Sequence, residues 1–202
     1  DSEIVSKAPV RLLVSGMGDA LATYFEARAN EKSKSPNYVE KGFNRTLTAI
    51  ALAKLCYEVL LEYGLKAKKD AEAGVLSEAL ENVIEANTLL SGVGFENNGC
   101  AAAHAIEYGL TKIDGTHHLY HGEKVAFGTI CQLVLEKSPQ KEIEEVMGFC
   151  KSVGLPSTFE ELGIQDRESG DIMTAARAAF DSSLKAEPFK VTPEMVYEAL
   201  YT

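Results

Sequence analysis

The sequence predicts an all-α domain of roughly eight to ten helices joined by short loops. Three observations carry that expectation. Apolar residues recur at helical spacing through most of the chain. The Val/Ile-rich runs that an α/β fold needs are absent, and nothing beyond the first fifteen residues alternates as a strand does. Glycine and proline interrupt the pattern at short intervals, at Gly64, Ser138-Pro139 and Gly154-Leu155-Pro156. The 202 residues, 46% hydrophobic and 25% charged, suffice for one domain with a real core.

Residues 1–15 are mixed around Pro9, and Val10 to Val14 reads as a strand end or the last piece of a linker. A first helix starts at the Gly16-Met17-Gly18-Asp19 corner and runs to about Ala29, with Leu21, Tyr24, Phe25 and Arg28 in period. The polar turn Ser33 to Asn37 follows. A long helix from about Gly42 to Tyr63 presents Phe43, Leu47, Ile50, Ala51, Leu55, Val59 and Leu60, as a central bundle helix would. Gly64 ends it. Lys66 to Ala73 predicts a short charged helix, and Val75 to Leu90 an amphipathic one with Leu76, Leu80, Val83, Ile84 and Leu90 inward. Ser91 to Gly99, rich in glycine and asparagine, reads as a loop. Helices are then expected over Cys100 to Leu110, His121 to Glu136 and Lys141 to Val153. Shorter ones follow near Phe159 to Leu162, Asp171 to Phe180 and Pro193 to Leu200.

A net charge of −10 argues against nucleic acid or an anionic membrane surface as a partner. No run approaches the ~20 apolar residues of a membrane span. The start, DSEIVSKAPVRLL, has no basic segment leading into an apolar one, so no signal peptide is expected, and there is no initiator Met. Cys56, Cys100, Cys131 and Cys150 form no C-x-x-C pair and lie in apolar helical contexts, which reads as buried reduced thiols of a cytoplasmic protein.

The four histidines, His104, His117, His118 and His121, all fall between Gly94 and Gly128. His104 sits in a run of alanines that reads as helix, and His121 opens the next helical stretch. Two imidazoles so spaced cannot share one short helix face, but they could meet if one helix carries the first and the next helix start the second. A divalent metal would then need a third ligand, for which Asp19 is the best candidate. On position alone Asp19 also reads as a first-turn carboxylate favoured by the helix dipole, and a lone histidine beside alanines as a packed core group. Two histidines and a carboxylate suit Zn2+ with one position open, and equally Fe2+. At a helix N-terminus the dipole discourages protonation of His121 and so favours ligation.

The segments GMGDALATYFEA, GFENNGCAAAHAI and HHLYHGEKVAFGT resemble, in that order, three signatures of the glycerol dehydrogenases, which belong to the iron-containing (group III) alcohol dehydrogenases. GFCKSVGLPSTFEELGI fits as well, so the likeness runs from about Ala8 to Ile164. The resemblance implies the helical C-terminal domain of the dehydroquinate synthase-like fold, over residues 9–202, with residues 1–8 a residual linker from an NAD-binding domain. It implies Asp19, His104 and His121 as ligands of Zn2+ or Fe2+, and Phe95 lining a pocket for glycerol or a similar small diol. It also implies oxidation of glycerol to dihydroxyacetone with NAD, and a homo-oligomer. His117 and His118 match the HH before the last ligand, with a role in substrate or proton handling or none beyond surface packing. The glycine-rich pyrophosphate loop of a dinucleotide site is missing: GVGFENNG follows a helix, not a strand. The chain is therefore expected to be the metal and substrate half without its coenzyme half, and inactive alone. The alternative is a truncated zinc-binding helical domain with a structural role.

Overall fold

A computed structural model describes residues 1–37, 45–165, 170–180 and 183–201. Among them there are ten α-helices and no strand: α1 Ser2–Ser6, α2 Val10–Ser33, α3 Leu47–Glu72, α4 Glu78–Glu85, α5 Ser91–Asn98, α6 Ala102–Leu110, α7 His121–Leu135, α8 Gln140–Val153, α9 Gly170–Phe180 and α10 Pro193–Leu200. No described helix is long and apolar enough to cross a membrane.

Two apolar cores share one helix. The first joins α2, α3, α4 and α8 through residues such as Met17, Leu21, Phe25, Leu60, Leu80, Val146 and Phe149. The second joins α6, α9 and α10 through Ile106, Leu110, Ile172, Ala176 and Val196. Helix α7 lies between them. It gives Ala126, Ile130 and Leu133 to the first core and Phe127, Cys131 and Leu135 to the second. At the seam the three central helices meet through small side chains alone, Ala22 of α2, Ala103 of α6 and Val125 of α7. Arg28 clamps the first core from outside. Its guanidinium donates to both carboxylate oxygens of Glu142, at 2.6 and 3.1 Å, and lies 3.5 Å from Glu136.

Several sequence expectations are corrected. Val10 to Val14 is helical: α2 begins there, after Pro9, so Asp19 is the tenth residue of the helix rather than a first-turn cap. The start of α3 expected at Gly42, with Phe43, lies outside the described residues; the described helix begins at Leu47, capped by the Thr46 hydroxyl accepting from the Ala49 amide. It then runs through Gly64 to Glu72 without a break. Gly64 is needed for close approach, since a Cβ there would lie 2.7 Å from the Phe149 ring. The buried stripe of α3 is Ala49, Ala53, Cys56, Leu60, Gly64 and Ala67, while Leu47 and Leu55 face out. It is thus a flanking helix that approaches α2 along small residues, not the central one. Val75 and Leu76 are exposed, and α4 starts only at Glu78 behind the Ser77 cap.

The largest correction concerns Ser91 to Gly99. Helix α4 continues through one π-helical turn, Ala86–Leu90, directly into α5. Gly94 serves a tight crossing, with a Cβ there 2.9 Å from Thr23 of α2, and only Gly99, at φ +82°, breaks the rod. Residues 158–163 form turns rather than the expected short helix. All four cysteines are buried thiols, and none is in a disulfide. Residues 1–8 are largely helical, and α1 is tied to α4 by the Ser2 hydroxyl donating to Glu81 at 3.1 Å.

Candidate metal centre

The seam between the cores sets where the candidate ligands stand. Gly18 and Gly122 let α2 and the start of α7 cross with backbones in contact, and Gly128 does the same for α7 against α6. The first-turn amides of α6 are satisfied from three directions by buried side chains. Glu26 accepts from Ala101 (2.8 Å) and His104 (3.0 Å), Glu187 from Ala102 (3.1 Å) and Gln132 from Ala103 (3.0 Å). The start of α7 is held by Glu123, which accepts from the Tyr120 amide at 2.7 Å and from Nε and Nη2 of Arg11, at 2.6 and 2.7 Å.

The result brings Asp19, His104 and His121 together from three helices. Nε2 of His104 lies 3.2 Å and Nε2 of His121 3.3 Å from Oδ1 of Asp19. One donor atom from each residue lies within 4.8 Å of the others. Oδ1 is hidden from solvent and receives no well-directed hydrogen bond from either imidazole. The Nδ1 atoms face the other way, that of His104 2.7 Å from Glu26 and that of His121 3.2 Å from Glu107. Such carboxylate partners fix the tautomer that leaves Nε2 free to coordinate. An orphaned carboxylate oxygen between two Nε2 atoms fits a divalent cation of the Zn2+ or Fe2+ kind.

As ionisable groups alone, the three form a tight ion-pair cluster. Burial pushes the Asp19 carboxyl up, but the two imidazoles beside it outweigh that and hold it well below the usual range. Burial opposes protonation of His104, yet the charge of Glu26 and the contact with Asp19 raise it. His121 is raised to about 9, chiefly by its contacts with Asp19 and Glu107. Without a cation, the two carboxylates that face His121 at contact distance outweigh the helix dipole.

These residues line a cavity of about 870 Å³. Two helical stripes form its walls: Asp19, Thr23, Glu26 and Asn30 of α2, and Asn87, Ser91 and Phe95 of the π turn and α5. Phe95 stacks on His104 with ring centroids 6.3 Å apart. His117 and His118 are exposed and line no part of the cavity; Nε2 of His117 is 3.0 Å from the Thr111 carbonyl. Glu26, Glu107, Lys124, Gln132 and Glu187 were missed in the sequence. Spacing could have pointed to three of them: Glu26 follows Asp19 by seven positions, Glu107 follows His104 by three, and Lys124 follows His121 by three, so each shares its ligand's helix face.

Glu187 has a pH signature of its own. Burial, with the nearby charge of Glu136, pushes its carboxyl up to about 8. Between the ordinary carboxylate range and that value the folded chain binds a proton that the unfolded chain has lost, so this group subtracts stability as pH rises. Glu187→Gln keeps an acceptor for the Ala102 amide and removes that dependence. Relative to the unmodified chain, its melting temperature is expected to climb between pH 5 and pH 8. A constant difference across that range would refute the assignment.

An iron-containing alcohol dehydrogenase from Thermococcus thioreducens shares the fold with a TM-score of 0.73 at 19% identity, over 99% of this chain and 52% of that one. At that identity the likeness is one of fold, and it places the chain in the helical C-terminal part of the iron-type alcohol dehydrogenase architecture. Closer relatives narrow the family. Glycerol dehydrogenase of Citrobacter freundii is 52% identical over 204 aligned positions, taking in 100% of this chain and 55% of that protein. The solved structure of a probable glycerol dehydrogenase from Sinorhizobium meliloti 1021 matches with a TM-score of 0.95 at 49% identity, over 99% of this chain and 56% of that one. The chain is a homologue of the glycerol dehydrogenases, corresponding to their helical C-terminal part. It spans about half the length of the curated relatives it matches. No family model matches it.

Proposed function

We propose that this chain is the metal- and substrate-holding half of a dehydrogenase that oxidises glycerol, or a similar small diol, to dihydroxyacetone with NAD bound by a further domain. The observation that carries the reading is the convergence of Asp19, His104 and His121 in the cavity wall, the Nδ1 of each imidazole backed by a carboxylate. On this reading residues 9–202 are the metal and substrate domain and residues 1–8 its join.

A divalent cation, Zn2+ or Fe2+, held by the three side chains supplies Lewis acidity that lowers the pKa of an alcohol hydroxyl. The rest is the work of the chain. Glu26 and Glu107 hold the imidazoles in the coordinating tautomer. Phe95, over His104, presents an apolar face to the carbon chain of a diol and keeps water from that side. Asn87 and Ser91 line the same wall with polar groups suited to a polyol. The segment GVGFENN, the nearest in sequence to a pyrophosphate loop, is helical and its amides serve α5. Exposed Leu47, Leu55 and Val75 are compatible with self-association into an oligomer.

The test is elemental analysis of the chain purified without added metal. About one zinc or iron per chain is expected, together with no glycerol-dependent NAD reduction by the chain alone. A chain that takes up neither metal, even when both are supplied, sinks the reading.

A further inference from the structure

The two imidazoles differ in what stands behind them. Glu26, behind His104, is 1% exposed, and its other oxygen is taken up by the amides of Ala101 and His104. No lysine or arginine ion-pairs with it among the described residues. Glu107, behind His121, is shared. Its Oε1 lies 3.2 Å from Nδ1 of His121 and also 3.4 Å from Nζ of the buried Lys124. An oxygen divided between an imidazole and an ammonium polarises the imidazole less than one facing N–H donors alone. His121 is also the more open of the pair, its side chain 54% exposed against 22% for His104.

We propose that Glu26 and Glu107 are positioning residues of unequal strength, and that the Glu107–Lys124 pair makes His121 the ligand that lets go first, so that Lys124 governs how fast a divalent cation leaves the site. The inference rests on the metal reading above. The charge count fits it. Asp19, Glu26 and Glu107 against Lys124 leave two net negative charges around two neutral imidazoles, which a divalent ion balances. Without Lys124 there would be one uncompensated negative charge more to hold the ion. Lys124 is therefore a release element, placed three residues after His121 on the same helix face.

The test uses the full chain loaded with Zn2+ or, in parallel, Co2+, and then mixed with excess chelator. Release is followed by chelator absorbance for zinc and by the visible band of bound Co2+. Glu107→Gln is expected to speed release by about 10–100-fold, the usual effect of losing an outer-shell partner. Lys124→Met is expected to slow it by about threefold or more, because the carboxylate then serves His121 alone. Lys124→Arg, which keeps the charge, should release at the unmodified rate. The double variant Glu107→Gln/Lys124→Met should behave as Glu107→Gln, since the lysine acts through the carboxylate. Opposite signs in the two single variants are something a packing role would not produce, and melting curves of the metal-free variants check that each is folded. Unchanged or faster release from folded Lys124→Met, or unchanged release from Glu107→Gln, overturns the inference while leaving the metal site standing. An unmodified chain that binds neither Zn2+ nor Co2+ overturns both.

Discussion

His104→Ala is expected to strip the chain of its metal while leaving it folded. A structural zinc site contributes roughly 10–16 kcal/mol in all, so one protein ligand accounts for roughly 3–4 kcal/mol, or about 10²–10³ in affinity. His104 is the best-held of the three, its ring fixed by Glu26 and covered by Phe95, so little else can move in to replace it. The fold should survive because the start of α6 is held through backbone amides. Glu26 keeps its bonds to the amides of residues 101 and 104 whatever the side chain at 104. Chelator competition gives the affinity, and circular dichroism the helix content. Unchanged affinity would show that the imidazole is no ligand. Lost affinity with lost helix would show that its role is in packing.

Gly122→Ala is expected to be the most damaging small substitution in the chain. A Cβ at Gly122 would lie 1.9 Å from the Ser15 carbonyl oxygen, 2.8 Å from its carbon and 3.0 Å from the Asp19 amide nitrogen. All three are backbone atoms, so no side chain can swing aside. Helices α2 and α7 must part, and they carry Asp19 and His121. Overpacking costs typically 1–3 kcal/mol and more where the backbone itself must move; here at least ~3 kcal/mol is expected, or a fall of roughly 6–12 °C in melting temperature for a domain of this size. Metal affinity should fall with it. Gly92→Ala and Gly148→Ala are the controls. Both positions are helical with open space around them, and alanine there should gain up to ~1 kcal/mol in helix propensity. A Gly122→Ala chain as stable as these controls would mean that the helix crossing is looser than it stands here.

The fold class was legible because helical periodicity needs no partner to be seen. The last two long helices, α8 and α9, start and end within a residue of where their patterns place them. What went astray was glycine. Gly64, Gly92 and Gly94 read as breaks, yet Gly64 and Gly94 lie inside helices at positions where another element comes too close for a Cβ. A sequence shows that a glycine is present, but not whether it is there for a backbone angle or for a neighbour. The burial of α3 was misread for a related reason: leucines marked the apparent face, while the real contact runs along alanines. The convergence of Asp19, His104 and His121 was legible through the histidine cluster and the motif resemblance. The residues behind it were not, because Glu26, Glu107 and Lys124 look on a helix like ordinary surface charges until the packing shows what they face.

The π turn between α4 and α5 fixes which residues form one wall of the cavity. Each residue of an α-helix turns the chain by about 100°, and the π turn holds one residue beyond the α-helical repeat. Losing that residue would rotate α5 by about a quarter-turn as far as the break at Gly99, carrying Ser91 and Phe95 away from the cavity while Asp19, His104 and His121, which other helices hold in place, stayed where they are. On the proposed function, the identity of the alcohol and the grip on the metal would thus be written in separable parts of the chain. A descendant could change substrates by gaining or losing a single codon at the π turn, with its metal chemistry inherited intact.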